Sequence, residues 1–443
     1  MGYISVKISK LFILVLLFVF LGCSRKEKKP EEGVYIENKE GKFTLYRAGV
    51  PYQIKGSSGF SELEALKEAG GNTIRIWDTV GLSSLLKKAN ENGIAVIVGL
   101  SLPESRYLSF YDDQAKVDAQ FNAIKKTINT YKKDPALLMW CVGNELVFPV
   151  RPKFHNFYKT FNNIVELIHQ DDPDHPVTTT ILNFNQKDIF NIRMRTDIDL
   201  LSFNVFGAIK HFKKDLKDFS WFWDGPYLIT EWGIDGPWDG TQYTAWGAYI
   251  EPTSTKKAAQ YKERYDQYIP VNDPRNLGSF IFFWGQKQET THTWFSLFDE
   301  HGRKTESVSA ATAIWTGKER KDTFPKINYM LLNKKGAYDN IILKPNQPAN
   351  AELLMESGSL KPEKIEWEIY PEDWYRKGNV NNLVRPAAVS TKFSSTADLQ
   401  VTFNTPAIEG PYRLFVTVTN RDGNIATSNT PFYIAIADNN EKK

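Results

Sequence analysis

Cysteine is nearly absent from this chain: its 443 residues include 2 Cys, alongside 6 His and 5 Met. Two cysteines exclude a disulfide framework, since at most one intrachain bridge could form. The histidines show no metal-ligand spacing, such as two His four apart beside a Glu, and no metal or other cofactor is expected. Charge of one sign is missing too. The formal net charge is +3, and no basic stripe with interleaved aromatics stands out, so nucleic acid is not an expected partner. A Walker-type phosphate loop and a Gly-x-Ser-x-Gly elbow are both lacking; Gly56-Ser-Ser-Gly59 reads as a strand-to-helix turn. The long apolar run at the N-terminus, Leu11 to Leu21, is shorter than the ~20 residues that span a bilayer.

What is present begins with that run. Lys7 and Lys10 precede it, and it ends at Phe20-Leu-Gly-Cys23. The pattern resembles a bacterial lipoprotein signal, with Phe20 a departure from the more usual Leu. The resemblance implies a signal peptide over 1–22, lipid on Cys23, export across the inner membrane, and anchorage in the cell envelope. Residues 23–41, which include the charged stretch SRKEKKPEEG, then read as a tether. With Cys23 acylated, Cys141 would be left without a disulfide partner, and it reads as a small buried hydrophobe in mid-strand.

Aromatic residues are plentiful, at 14% with 12 Trp. From Lys42 onward short apolar runs alternate with helical patterns. Eight runs stand out: Gln53 to Gly56, Asn72 to Trp77, Ile94 to Leu100, Leu137 to Val142, Val177 to Leu182, Leu200 to Val205, Tyr227 to Thr230 and Ser279 to Trp284. Near-continuous apolar strands separated by helices indicate a parallel sheet covered on its outer face. Eight such units predict an α/β fold, a (β/α)8 TIM barrel over 42–324. Ser61-Glu-Leu-Glu64 reads as a capping box, and Lys42–Tyr46 with Val50–Ile54 reads as a hairpin under the barrel floor. Beyond Pro325 the helical period gives way to alternating strands, with a turn signal at Asn420-Arg-Asp-Gly423. Residues 325–443 are therefore expected to form an immunoglobulin- or fibronectin-III-like β-sandwich. In it Gly410-Pro-Tyr412 resembles a tyrosine corner, and Trp367 and Leu414 are candidate core residues.

Two apolar runs end in an acid. Leu137-Leu-Met-Trp-Cys-Val-Gly-Asn leads to Glu145, and Tyr227-Leu-Ile-Thr leads to Glu231. A carboxylate at the tip of a buried strand is costly to desolvate and needs a reason to be there. In an eight-stranded barrel, reactive groups sit at the C-terminal strand ends. Two acids at two such ends are the equipment for cleaving a glycosidic bond, one protonated and one ionised.

Asn144-Glu145 and Glu231 together resemble the signature of glycoside hydrolase clan A, and the texture over 42–317 is similar to the barrel domain of family 2. The resemblance implies a retaining β-glycosidase, hydrolysing O-glycosyl compounds by double displacement. Glu145 would be the acid/base and Glu231 the nucleophile. Arg75 would sit beside the nucleophile, and Asn144 would bond the sugar 2-hydroxyl. Trp284 would lie beneath the sugar. Trp77, Asn204, Trp232, Gln286, Glu289, His292 and Trp294 complete the candidate substrate contacts. Trp221, Trp223, Trp238 and Trp246 could extend a sugar platform or pack the barrel.

One departure stands out. Related enzymes often carry a Tyr after the sixth strand that bonds the nucleophile, and here Phe206 takes that place, so Asn204 or the loop residue Tyr243 is expected to compensate. No β-domains like those that precede the barrel in typical family 2 enzymes are expected here, and Gly71-Asn-Thr-Ile-Arg-Ile76 resembles barrels acting on β-1,3-glucans. An endo-β-glucanase is the expected activity, with a carbohydrate as partner and the membrane reached through lipid on Cys23. A transglycosylase using the same residues, or a non-catalytic surface glycan-binding lipoprotein, are the alternatives.

Overall fold

A computed structural model describes residues 33–318, 324–372, 384–395 and 398–436. The candidate signal peptide and Cys23 lie outside the described residues. Three strands come first: β1 (Val34–Lys39), β2 (Lys42–Arg47) and the short β3 (Val50–Pro51), in one antiparallel sheet. β1 falls inside the stretch read as tether, so the ordered fold starts earlier than expected. Its alternation is weak because only Val34 of β1 is fully buried.

Eight parallel strands then close a barrel: β4 (Ile54–Gly59), β5 (Thr73–Ile76), β6 (Ala95–Leu100), β7 (Leu137–Asn144), β8 (Val177–Leu182), β9 (Leu200–Asn204), β10 (Tyr227–Trp232) and β11 (Asn276–Trp284). The barrel is shut by β11 pairing with β4, with Gly278 opposite Ile54. These are the eight apolar runs. Along β6 the side chains alternate as a pleated strand requires. Val96 and Val98 face the helices, while Ala95 and Ile97 fill the interior. Leu45 and Val34 of the small sheet pack into that interior cluster with Leu138, Met139, Leu200 and Phe280, so the sheet plugs the barrel floor. Backbone bonds from Val34 to Asp174 and from Phe43 to Pro274 tie it to the loops at the N-terminal strand ends.

The helices follow the sequence signals with one exception. Asp113 caps Gln114–Tyr131 by accepting from the Lys116 N–H at 3.2 Å, and Gly93 ends Leu82–Asn92 in the left-handed region. The capping box at Ser61 does not form. The helix starts at Leu63 after Glu62 at φ 56°, without a side-chain cap. The chain turns too sharply out of β4 for Ser61 to occupy a capping position.

The C-terminal module is a β-sandwich of two sheets. One joins β12 (Ile327–Leu332), β14 (Pro348–Met355) and β16 (Gln400–Asn404). The other joins β13 (Ile342–Leu343), β18 (Ile425–Ile434), β17 (Gly410–Thr419) and β15 (Lys364–Pro371). Trp367 and Leu414 are buried in its core. The Tyr412 hydroxyl donates to the Ile408 carbonyl at 3.0 Å, which is the tyrosine-corner bond.

The sandwich is docked on the barrel through buried polar groups. Lys257 ion-pairs with Glu251, whose other oxygen accepts from Asn429 Nδ2 at 2.7 Å. Arg413 reaches Glu372 at 2.8 Å, Asn429 Oδ1 at 2.7 Å and the Tyr249 carbonyl at 2.7 Å. Burial alone would raise the Glu251 pKa, but the charges of Lys257 and Arg413 hold it below the usual carboxylate range.

Candidate active site

Strict alternation would not bring the two acids into the barrel mouth; irregularities in their strands do. In β10, Tyr227 and Ile229 pack outward and Leu228 inward, so Glu231 by parity belongs outside. The pairing slips between Ile229 and Glu231: Ile229 faces Phe203, yet Glu231 faces Asn204, the very next residue of β9. This bulge turns Glu231 to the interior and leaves Trp232 on the outside. A second slip lies between Cys141 and Asn144 of β7, opposite Thr178 and Thr180. Gly143 at φ 75° and Glu145 at φ 53° flank Asn144. The left-handed bend lets the consecutive side chains of Asn144 and Glu145 face the same space. For Glu145 that conformation costs of order 1–3 kcal/mol, which the surrounding bonds must offset.

That space is a cleft of ≈ 690 Å³, and Asn144, Glu145 and Glu231 all line it. A continuous hydrogen-bonded chain joins the two acids. Trp77 Nε1 donates to Glu231 Oε1 at 2.7 Å, and Arg75 Nη1 ion-pairs with the same oxygen. Arg75 Nη2 donates to Asn144 Oδ1 at 2.6 Å. Asn204 Nδ2 donates to Glu145 Oε1 at 2.8 Å and to Asn144 Oδ1 at 3.3 Å. Thr230 Oγ1 fixes the Asn204 amide by donating to Oδ1 at 2.9 Å. Arg75 is 1% exposed and sits inward on β5 between the outward Ile74 and Ile76, so its charge is spent inside this network.

The electrostatics make the two acids unequal. The Glu145 pKa is raised, first by burial and then by the charge of Glu231; the Asn204 bond and Arg75 pull it part of the way back. Glu231 is instead paired directly with a guanidinium and an indole N–H. A third acid, Glu289, also lines the cleft; its pKa is raised by burial against the opposing pull of Lys287, 2.6 Å away.

Several expected contacts lie elsewhere. Trp284 does not lie in the cleft. The β11 pairing slips between Phe282 and Trp284, which swings the indole outward to donate to the Glu62 carbonyl at 2.9 Å and to pack on Phe298 and Trp315. Phe282 and Phe283 line the cleft instead. Trp232 is buried against Tyr261 and Tyr265. Trp294 is buried with its N–H on the Asp235 carbonyl at 3.0 Å. His292 sits under the sandwich against Tyr370 and Phe415, where burial holds its pKa down to about 3. Of the other tryptophans, Trp238 lines the cleft, Trp246 packs on Tyr433 of the sandwich, and Trp221 and Trp223 precede β10 at the opposite end of the barrel.

Gln286 and Glu289 do line the cleft, with Lys287 and Gln288 between them. The absent Tyr is replaced neither by Tyr243, which is exposed and stacked edge-on to Tyr249, nor by Asn204, which serves Glu145. Trp77 is the aromatic residue that donates to Glu231. Its position at the end of the second run was the available signal. The cleft walls formed by Phe60, Phe206, Phe282 and Phe283 were not foreseen as contacts. Among the described residues no group of three or more His, Cys, Asp or Glu is arranged to hold a metal ion.

Residues 70–273 match the family described as glycosyl hydrolases family 2, TIM barrel domain. Among solved structures, the β-glucuronidase of Faecalibacterium prausnitzii is similar at 17% identity and TM-score 0.51, covering 65% of this chain and 53% of that one. A family 2 β-galacturonidase from Eisenbergiella tayi, bound to galacturonate, gives 16%, 0.50, 65% and 55%. An endo-β-1,4-mannanase from Thermotoga petrophila gives 13% and 0.43, with 87% of this chain and 98% of that one covered. The chain thus spans about half the length of the β-glucuronidase and of the β-galacturonidase. No curated protein matches it.

Proposed function

With a glycosyl hydrolase family 2-type TIM barrel as premise, we propose that this chain is a retaining β-glycosidase with Glu145 as acid/base and Glu231 as nucleophile. The observation that carries the reading is the bonded chain Trp77–Glu231–Arg75–Asn144–Asn204–Glu145, which gives two neighbouring carboxyls opposite environments. Retention needs one acid to hold a proton and the other to attack.

Both donors to Glu231 use Oε1, so Oε2 is the oxygen that attacks the anomeric carbon. On Glu145 the Asn204 amide takes Oε1, so Oε2 carries the proton to the departing sugar oxygen. The ionised Glu145 then removes a proton from water, which attacks the anomeric carbon and releases Glu231. Asn144 accepts through Oδ1 from both Arg75 and Asn204, which turns its NH2 group outward as a donor for the sugar 2-hydroxyl.

The substrate is a β-linked poly- or oligosaccharide, with endo-acting β-1,3-glucanase activity as the specific reading. Its support is a cleft with room for several sugar rings and aromatic walls at Phe60, Trp77, Phe206, Trp238 and Phe283, which suit the apolar faces of glucosyl rings. The enzyme is carried on a membrane through lipid at Cys23. Hydrolysis of a panel of β-glucans and β-mannans, with product anomers followed by NMR at early times, tests the proposal. A product that first forms with the substrate's own anomeric configuration is expected; inversion, or no cleavage of any β-glycan, would overturn it.

A further inference from the structure

The mouth of the barrel holds the cleft; the opposite end carries an exposed apolar feature that the cleft does not use and that Phe222 ties to the core. Trp221 is 80% exposed in the segment before β10. Its ring lies beside Phe222 at 5.7 Å, and Phe222 stacks on Phe190 at 4.9 Å. Phe190 is 46% exposed, and Met194, one helical turn further along Gln186–Arg195, is 63% exposed. Three large apolar side chains in one exposed cluster are costly in water and mark an interaction surface.

The position of the N-terminus suggests what covers it. The described chain begins at Gly33, and Val34 donates to the Asp174 carbonyl in the segment before β8. Trp221 precedes β10 and Asp174 precedes β8, so both lie at the N-terminal strand ends. The residues that precede Gly33 in the sequence, Cys23 among them, therefore join the described fold at the same end as the ring cluster.

We propose that the Trp221–Phe222–Phe190–Met194 cluster is a membrane-docking face, seated on the lipid bilayer that the N-terminal segment reaches. The proposal rests on the reading of Cys23 as the lipid attachment site. Trp suits the headgroup layer, where its ring is desolvated and its N–H stays hydrated. Between residues 186 and 226 there are seven basic and six acidic side chains, so the contact is made by rings rather than net charge. It therefore persists on zwitterionic lipid and in high salt. Docking by this end points the cleft away from the membrane, toward polysaccharide.

The test uses the full chain, purified from membranes and reconstituted in phosphatidylcholine vesicles. An environment-sensitive probe is attached at Trp221→Cys or, as a control beyond the C-terminal end of β10, at Tyr243→Cys. Cys141 is buried and does not compete. Expected is a blue-shifted probe at 221, quenched by spin-labelled lipid, with the 243 probe unaffected by vesicles. Equal, solvent-like spectra at both positions on vesicle-bound chain would overturn the proposal. So would shielding at 221 without vesicles, which would assign the cluster to a second copy or to the N-terminal segment. The mass of the N-terminal peptide reports acylation of Cys23 separately. If it is unmodified, the lipid reading fails, and on a Cys23→Ser background a 221 probe that still shifts when the soluble chain meets vesicles, and loses the shift on Phe190→Ser, keeps the docking face.

Discussion

The protein buries two charged networks, and they differ in what they leave open. In the cleft, Arg75, Glu231, Asn144, Asn204 and Glu145 bond one another, while among the described residues no bond takes the second oxygen of either acid or the Asn144 NH2, and those three residues line the cleft. At the domain junction, Lys257, Glu251, Asn429, Arg413 and Glu372 bond each other and nearby threonines. Glu251 alone accepts from Lys257, Thr291, Thr293 and Asn429. A network closed on all sides sets geometry; one with an unfilled face can bind and react. The two meet in the segment after β11, where Gln286–Glu289 line the cleft and Thr291–Thr293 sit in the junction.

Substitutions that break one network should leave the signature of the other intact. The largest effect is expected for Glu231→Gln, which should lower kcat by more than about 10⁴-fold with the fold retained. Activity within tenfold of the parent would remove the nucleophile from the proposal. Arg413→Met should do the reverse. It takes a buried guanidinium away from Glu372, Asn429 and the Tyr249 carbonyl and should cost about 3–5 kcal/mol in a denaturant titration, while the pH profile of the remaining activity stays put. Unchanged stability would mean the junction is not closed as described.

Trp77→Phe keeps the cleft wall and removes one N–H from Glu231. A bond to a charged acceptor is worth about 1.5–3 kcal/mol, so kcat should fall about 10- to 100-fold with little change in stability. A change confined to KM would make Trp77 a sugar contact instead. Asn204→Ala removes a donor that lowers the Glu145 pKa, so that pKa should rise further and the alkaline fall in kcat/KM should move to higher pH. A limb that moves the other way belongs to a different group.

The last effect is read as a slope against pH, at His292. His292 stays neutral in the fold down to about pH 3, whereas an unfolded His takes up its proton near ~6.5. The unfolded chain therefore binds more protons between those values, and stability is lost as pH falls through that window. His292→Gln should flatten this slope in urea titrations at pH 7 and pH 4.5, and an unaltered slope would place the acid sensitivity elsewhere.

The barrel was legible because each strand carries a near-continuous apolar run and each helix its own period, and the acids were legible because a strand tip is a poor place to hide a charge. What the sequence concealed were the irregularities. The slips in β7, β10 and β11 decide which way Asn144, Glu231 and Trp284 point, and a bulge leaves no mark in a pattern read two residues at a time. Trp284, at a strand end, and Trp232, in a tryptophan-rich segment, both read as sugar contacts in the sequence, yet both are turned outward. His292 and Trp294 share a polar segment with Gln286 and Glu289, and nothing local marks where that segment passes from cleft to junction. The junction itself pairs Glu251 with Asn429, 178 residues apart, beyond the reach of any local pattern.

If Glu231 is the nucleophile as proposed, the convergence of Trp77 and Arg75 on a single one of its oxygens has a consequence for the glycosyl-enzyme. Once Oε2 is bonded to the sugar, Oε1 becomes the ester carbonyl, still gripped by an indole N–H and a guanidinium. That carbonyl is polarised from the moment it forms, and the carboxylate is a better leaving group when water arrives. The ester should therefore be short-lived, and its carbonyl stretch, trapped with a slow fluorinated sugar, should lie at lower frequency than in the Trp77→Phe variant.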